Sequence, residues 1–485
     1  MNTAAKFPQP VNPPTVDRRP VTGAPAGILT ILLAILWLAP VAAAEFALPE
    51  PQQIRLDNGM TVYLCEDHRL PVISLHLLVA GAGTAYEPAG KEGLAELTGR
   101  LLLRGTREQD AETVSEELDF IGASLDVRVA EEFATLEGQC LAEHFPRMLA
   151  IAAGCITDPL LAPGEFQKER SPQQEDLQAA KDEPMTAVRM YFRRVYFGTH
   201  PLGRLTLGAE AGLEGLVPAD VRAFYSSRYR PDRTSLAVVG DISREKLAGL
   251  LDAQLVRWPK PAASPPSMEL PPLPYGKGKR VVLVDMPGAT QAHFALGSPG
   301  FAFGDSVTAK AAVLNTLFGG RFTSWLNNEL RIQRGLTYGA RSDFTSWRNG
   351  GLLTLSSYTQ STQIGEMLDI TLGLLRRGRT EEFSEAAVDS AKSYILGQFP
   401  PTLESTAAKA AAYAELAFYG AGFDYHARLL RQVRAVTPED LRQTALRLLP
   451  QDDYVLVVVG EAAAVRPQLE KLAPVQVKKL SDAGF

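Results

Sequence analysis

A chain of 485 residues is long enough for two to four domains with large cores. Its 49 basic and 55 acidic side chains leave a net charge of −6, and no basic block stands out, which argues against a nucleic-acid partner. Three cysteines (Cys65, Cys140, Cys155) are too few and too scattered for a disulfide framework or a cysteine zinc set, and leave open one disulfide with one free thiol.

The chain opens on a targeting segment. Lys6, Arg18 and Arg19 lie in a Pro-rich leader, Gly27–Ala44 is apolar throughout, and the run ends in the small residues Val41-Ala-Ala-Ala44 before Glu45. This is the pattern of an export signal, with an uncleaved membrane anchor as the alternative. Ile54–Leu64 reads as strand, Asp-Asn-Gly turn and strand, and Val72–Ala80 as a mostly apolar strand. In Gly93–Thr106, Leu94, Leu97 and Leu101 recur at i, i+3, i+7, one apolar helix stripe that Gly105 would stop. Helix is predicted over Glu112–Ile121, a hairpin over Ser124–Val129 and Phe133–Cys140, and helices over Glu143–Ala153, Pro163–Lys181 and Pro218–Tyr229. Pro172 would break the second of these unless it lay in a first turn. Thr234–Gly240 reads as a buried strand.

Trp258–Arg280 changes character, with seven prolines ahead of Gly276 and Gly278. An extended polyproline segment of that length spans roughly 60 Å, enough to link two domains. A link is favoured over a surface loop because the flanking halves repeat. Val217-Pro-Ala-Asp leads to a strand ending at Gly240, and Thr437-Pro-Glu-Asp leads to one ending at Gly460, both pairs 220 residues apart by subtraction. The predicted organisation is a leader over 1–44, an N-terminal domain over 48–258, a Pro-rich linker over 259–279 and a homologous C-terminal domain over 280–475.

Several frames, in this order, carry a resemblance: Leu56-Asp-Asn-Gly-Met-Thr-Val62, Gly93-Leu-Ala with Arg104-Gly-Thr106, His200-Pro-Leu-Gly-Arg204, Tyr229-Arg-Pro-Asp232, the two Val-Val-Gly strands, and Leu330–Tyr338 after Phe318-Gly-Gly320. Together they are similar to the pitrilysin/insulinase-type zinc metallopeptidases, closest to the two-domain, mitochondrial-processing-peptidase-like branch. The resemblance implies an α+β fold: two homologous domains in a clamshell, each a mostly antiparallel sheet with helices packed on one face. With the leader, the expected location is a bacterial periplasm, reached by export or by anchoring through the N-terminal apolar segment.

Where that family carries His-x-x-Glu-His, this chain has Glu96, Gly99 and Arg100. Two His at i, i+4 and a Glu between them are what zinc and its activated water require, so the metal site is lost. Counting onward to the usual third ligand gives Asp176, with Glu169 at the supporting acid; the residues themselves read as a solvated helix face. The six histidines (His68, His76, His144, His200, His293, His426) offer no zinc-helix spacing to compensate.

The second half keeps what the resemblance implies for substrate binding. Arg331 and Tyr338 match, in type and spacing, an Arg and Tyr that hold the peptide backbone and stabilise the oxyanion. Taken without the family frame, Arg331 pairs with a nearby acid such as Glu329 and Tyr338 caps a core. The implied function is that of a zinc-free subunit with no cofactor of its own, supplying Arg331 and Tyr338 to a homologous zinc-bearing partner in a heterodimer or larger assembly that hydrolyses peptides. The alternatives are a catalytically inert scaffold and a stand-alone peptide-binding module.

Overall fold

Each half of the chain builds one six-stranded sheet, and the two sheets share a plan. The computed structural model describes residues 46–482; the leader and its apolar run fall on residues outside them. The first sheet is assembled from β1 (Gln52–Arg55), β2 (Thr61–Glu66), β3 (Val72–Ala80), β4 (Ser124–Val129), β5 (Phe133–Leu141) and β6 (Thr234–Gly240), in the order β1-β2-β6-β3-β5-β4. The second comprises β7 (Lys279–Asp285), β8 (Gln291–Pro299), β9 (Arg341–Trp347), β10 (Gly350–Gln360), β11 (Tyr454–Gly460) and β12 (Val475–Lys479), in the order β12-β7-β11-β8-β10-β9.

Pairing is mostly antiparallel. The exceptions are β2 with β6 in the first sheet, and β7 with β11 and with β12 in the second. β6 and β11 are the two Val-Val-Gly strands, each buried on both faces, which is why they read as continuous apolar runs. The helices that precede them, Pro218–Arg228 and Pro438–Leu448, begin alike: Asp220 and Asp440 accept from the backbone N–H of Val217 and Thr437 at 2.9 and 3.0 Å. The 220-residue repeat is therefore a repeat of structure.

One face of each sheet is covered by helices of its own half. In the first half, Leu64, Leu75, Leu77 and Leu236 pack on the helix stripe of Leu94, Leu97 and Leu101. In the second, Leu283, Phe294, Leu296 and Leu355 meet Val313, Leu317, Met367 and Leu441. The other face is covered by a helix from the opposite half. Helix Pro184–Phe197 lays Ala187, Val188, Tyr191, Phe192 and Val195 on Val282, Val284, Ala295, Val457 and Val459 of the second sheet. Helix Thr406–Tyr419 lays Ala410, Tyr413 and Ala414 on Leu78, Ala237 and Val239 of the first. At Gly297 a Cβ would stand 2.3 Å from Phe192 Cζ, so only glycine admits that ring. The exchange locks the halves together through apolar burial worth roughly 25 cal/mol per Å².

The Pro-rich stretch carries no helix or strand between Gln254 and Lys279. It is strapped to both halves: Tyr86 Oη donates to Met268 O at 3.1 Å, and Tyr275 Oη to Gly351 O at 3.1 Å. His200 sits buried at its turn, taking the Leu202 N–H on Nδ1 at 3.1 Å and bonding Pro271 O through Nε2 at 2.9 Å. Cys65, Cys140 and Cys155 are buried free thiols, and burial pushes the latter two up to about 12. The disulfide left open by the sequence is not formed. No described helix is long and apolar enough to cross a membrane.

Candidate functional site

The helix over the lost motif, α1 (Leu94–Leu102), is placed by its neighbours before its own charges act. Gly93, just ahead of it, has φ +103°, and a Cβ there would meet Leu213 Cδ2 at 2.6 Å. Glu87, fully buried, accepts the N–H of Gly93 and of Ala95 on Oε1 at 3.0 and 2.8 Å, satisfying donors that a helix start leaves open. Gln173, fully buried on α2 (Pro163–Asp182), donates to Gly93 O at 3.0 Å and Leu207 O at 3.1 Å, pinning α2 against the start of α1.

Pro172 does not break α2. The helix runs from Pro163 to Asp182 with Pro172 in its interior, contrary to the sequence expectation. Packing of Phe166, Glu169, Gln173 and Leu177 as one buried stripe holds the element together across the missing N–H.

Where zinc ligands would lie, the structure holds an ion-pair lattice. Arg100 Nε donates to Glu96 Oε1 at 2.9 Å, and its Nη2 to Asp176 Oδ2 at 2.8 Å. One turn on, Arg104 Nε pairs with Glu169 Oε1 at 2.5 Å. Burial opposes the Arg100 charge, but the bonds to Asp176 and Glu96 outweigh it and raise the guanidinium above its ordinary value. A fixed cation already joins the two carboxylates that a metal would need. The remaining motif position, Gly99, is buried against the edge strand: a Cβ would stand 3.0 Å from Val127 Cγ1 and 3.1 Å from Val129 Cγ2. These residues do not fit a zinc ion, and a side chain at position 99 would have to push the two valines aside.

Glu96 and Arg100 pair as their i, i+4 spacing allows, but the solvated helix face expected of Asp176 and Glu169 is replaced by pairing: Asp176 bonds Arg100 while half exposed, and Glu169 is buried against Arg104. Glu87, Gln173 and the Arg104–Glu169 pair were missed. Their only signal is a charged or amide residue three or four positions from an apolar stripe, which most surface helices also show.

Arg331 and Tyr338 lie on a different kind of backbone. Arg331 falls in a six-residue π-helical turn, Asn328–Gln333, a form that recurs at functional sites. Among the described residues it has no carboxylate partner; its Cζ stands 4.7 Å from the ring centroid of exposed Phe322. Tyr338 is 80 % exposed. The segment bearing it is tied on both sides: Leu336 N donates to Leu330 O at 2.8 Å, Ser357 Oγ to Gly339 O at 2.9 Å, and Ala340 N to Asn327 Oδ1 at 3.0 Å. Neither an Arg331–Glu329 pair nor a core cap by Tyr338 is formed. The phenol is held out into solvent by a pinned loop.

A family model described as "Insulinase (Peptidase family M16)" matches residues 62–210, and one described as "Peptidase M16 inactive domain" matches 216–395. The chain is 26 % identical over 410 residues to an uncharacterized zinc protease of Streptomyces coelicolor, covering 83 % of this chain and 85 % of that one. It is 24 % identical over 412 residues to another of Bacillus subtilis, covering 83 % and 96 %. A crystal structure of a peptidase M16 inactive domain from Pseudomonas fluorescens superposes with a TM-score of 0.79 at 21 % identity, over 85 % of this chain and 98 % of that one. A protease from Helicobacter pylori gives 0.80 at 20 %, over 85 % and 100 %. With both halves matched in order, the chain belongs to the insulinase-type peptidase family M16, as a member without the zinc-binding motif.

Proposed function

We propose that this chain is the zinc-free subunit of a heteromeric M16 peptidase, exported with its partner, and that it contributes Arg331 and Tyr338 to a peptide bound against a homologous zinc-bearing chain. The metal and the water-activating base belong to the partner. This chain's residues bind and orient: the Arg331 fork and the Tyr338 hydroxyl donate to backbone carbonyls, including the one that gains charge as it is attacked.

The observation that carries the reading is an asymmetry between the halves. The lost-motif helix is closed by Arg100 spanning Glu96 and Asp176, with no internal use left for a metal. The Arg331–Tyr338 segment is rigidly supported yet leaves its phenol 80 % exposed and its guanidinium without a carboxylate.

The test is affinity purification of the full chain from its native host, followed by zinc analysis and a peptidase assay of what is recovered. Recovery of a homologous chain with intact motif, about one zinc per pair, and hydrolysis by the pair alone are expected. Zinc-dependent hydrolysis by this chain purified alone, or recovery without such a chain, overturns the proposal.

A further inference from the structure

Helix α3 (Pro184–Phe197) covers the middle of the second sheet but not its outer strands. Beyond it the sheet face turns polar: Leu352 is followed by Thr354 and Ser356 on β10, and Arg341, Asp343 and Thr345 alternate outward on β9. The uncovered part is a cleft of about 460 Å³ between the two halves, a size typical of ligand sites. Its floor is apolar, from Phe192, Phe197, Trp347 and Leu352.

Four guanidinium groups line this cleft, from Arg189, Arg193, Arg204 and Arg341, against the carboxylates of Glu131 and Asp343. Their internal obligations can be counted. Arg341 is paired with Asp343 at 2.7 Å, and Arg204 Nη1 serves the carbonyls of Thr84, Ala85 and Glu87. Arg193 gives Nη1 to Glu131 at 2.7 Å and Nε to Leu202 O at 2.8 Å, and lies 5.8 Å over the Trp347 ring. Its Nη2 is buried with no partner. Arg189, exposed on the same helix one turn earlier, has no carboxylate partner among the described residues. The Arg193 Nη2 is closed off from the cleft, but four guanidinium groups against two carboxylates leave the cleft two positive charges in excess, and exposed Arg189 keeps its fork free for an anion.

We infer that this cleft between the halves binds a carboxylate of an extended peptide, held by the free fork of Arg189 in the positive field of the cleft, with a neighbouring apolar side chain on the Phe192–Trp347 floor. Guanidinium forks match a planar carboxylate in two parallel bonds. The Thr186, Thr206 and Thr354 hydroxyls supply further donors and acceptors around it. The carboxylate comes from an acidic side chain or from a peptide C-terminus; both offer the same two oxygens. The inference concerns the chain alone and stands apart from any zinc-bearing partner.

The experiment is fluorescence anisotropy on the full chain with three labelled hexapeptides of Thr, Val and Ser around one variable position. One is an amide with a central Glu, one an amide with Gln there, and one the Gln peptide with a free C-terminal carboxylate. The Glu amide or the free acid binds at least about tenfold more tightly than the Gln amide, and which of the two does so names the source of the carboxylate. Arg189→Glu, at an exposed position that leaves the fold intact, abolishes that preference, and raising salt from about 0.05 to about 0.5 M weakens it. Arg189→Lys also reduces it, because an ammonium keeps charge without the fork. Equal binding of the three peptides, no binding, or a preference untouched by Arg189→Glu overturns the assignment. Displacement of the acidic peptides by inorganic phosphate at equal strength marks a generic anion patch and also overturns it.

Discussion

Writing the motif back as Glu96→His, Gly99→Glu and Arg100→His places two imidazoles at i, i+4 on α1, yet the structure predicts a poor metal site. Asp176 reaches its present partner only because Arg100 is long: Nη2 lies 2.8 Å from Oδ2. A histidine is shorter, and aspartate falls one methylene, roughly 1.5 Å, short of the glutamate usual there, whereas zinc holds carboxylate oxygen at about 2.0–2.2 Å. Position 99 adds a packing penalty. Its Cβ enters at 3.0 and 3.1 Å from Val127 and Val129, and overpacking of this kind costs about 1–3 kcal/mol. Leaving glycine in a helix returns only about 0.5 kcal/mol, so Gly99→Glu destabilises the chain by a net ~1–2 kcal/mol. Competition against a chromophoric chelator should show weak zinc binding by the triple variant, strengthened at least about tenfold (~1.4 kcal/mol) by adding Asp176→Glu. Urea unfolding reads the stability loss, which Val127→Ala should relieve. Tight, stoichiometric zinc in Glu96→His, Arg100→His alone, at unchanged stability, would refute the reasoning.

Three further outcomes are expected. Burial pushes the Glu87 carboxyl up to about 8 from its ordinary 4.5, against the opposing bonds from Ala95 and Gly93 N–H and the nearby Arg204. A carboxyl raised in the folded state stabilises fully below its unfolded value and loses that contribution as pH rises through the folded one; urea midpoints should therefore fall between pH 5 and 9, and Glu87→Gln should flatten the slope. Arg100→Met keeps the stem but leaves Glu96 and Asp176 facing each other, and should cost about 1–2 kcal/mol at low salt and less at high salt, because half of the lattice is exposed. Gly297→Ala meets Phe192 at 2.3 Å, and should lower the melting temperature and expose the chain between the halves to limited proteolysis, with a loss of about 1–3 kcal/mol; an unchanged melt would show that the exchanged helix yields.

Much of the architecture was legible because it rests on local rules. The Leu94, Leu97, Leu101 stripe, the Pro-x-Asp helix starts and the Val-Val-Gly strands each state their structure within a dozen residues, and their repeated offset states the duplication. The exchanged helices were not legible. Nothing in Ala187, Val188, Tyr191 and Phe192 says that the apolar stripe faces a sheet formed some hundred residues later. Pro172 misled for a related reason: tertiary packing of Phe166 and Leu177 overrides a local helix breaker. At the lost motif the residue types predicted the Glu96–Arg100 pair, and counting along the family frame found Asp176, but only the fold shows Arg100 serving both. The arginine cleft was invisible, since Arg189, Arg193, Arg204 and Arg341 come from three segments.

The central claim is that Arg331 and Tyr338 act on a peptide held against a zinc-bearing partner, and steady-state kinetics of the reconstituted pair tests it most directly. Removing a donor to a developing oxyanion costs roughly 10²–10³ in kcat, about 2.7–4 kcal/mol. Tyr338→Phe should lower kcat by that order while gel filtration and zinc content stay unchanged, Arg331→Ala should also raise KM, and Arg331→Lys should rescue poorly. Wild-type turnover from the Tyr338→Phe pair would contradict the account and leave the chain a structural subunit.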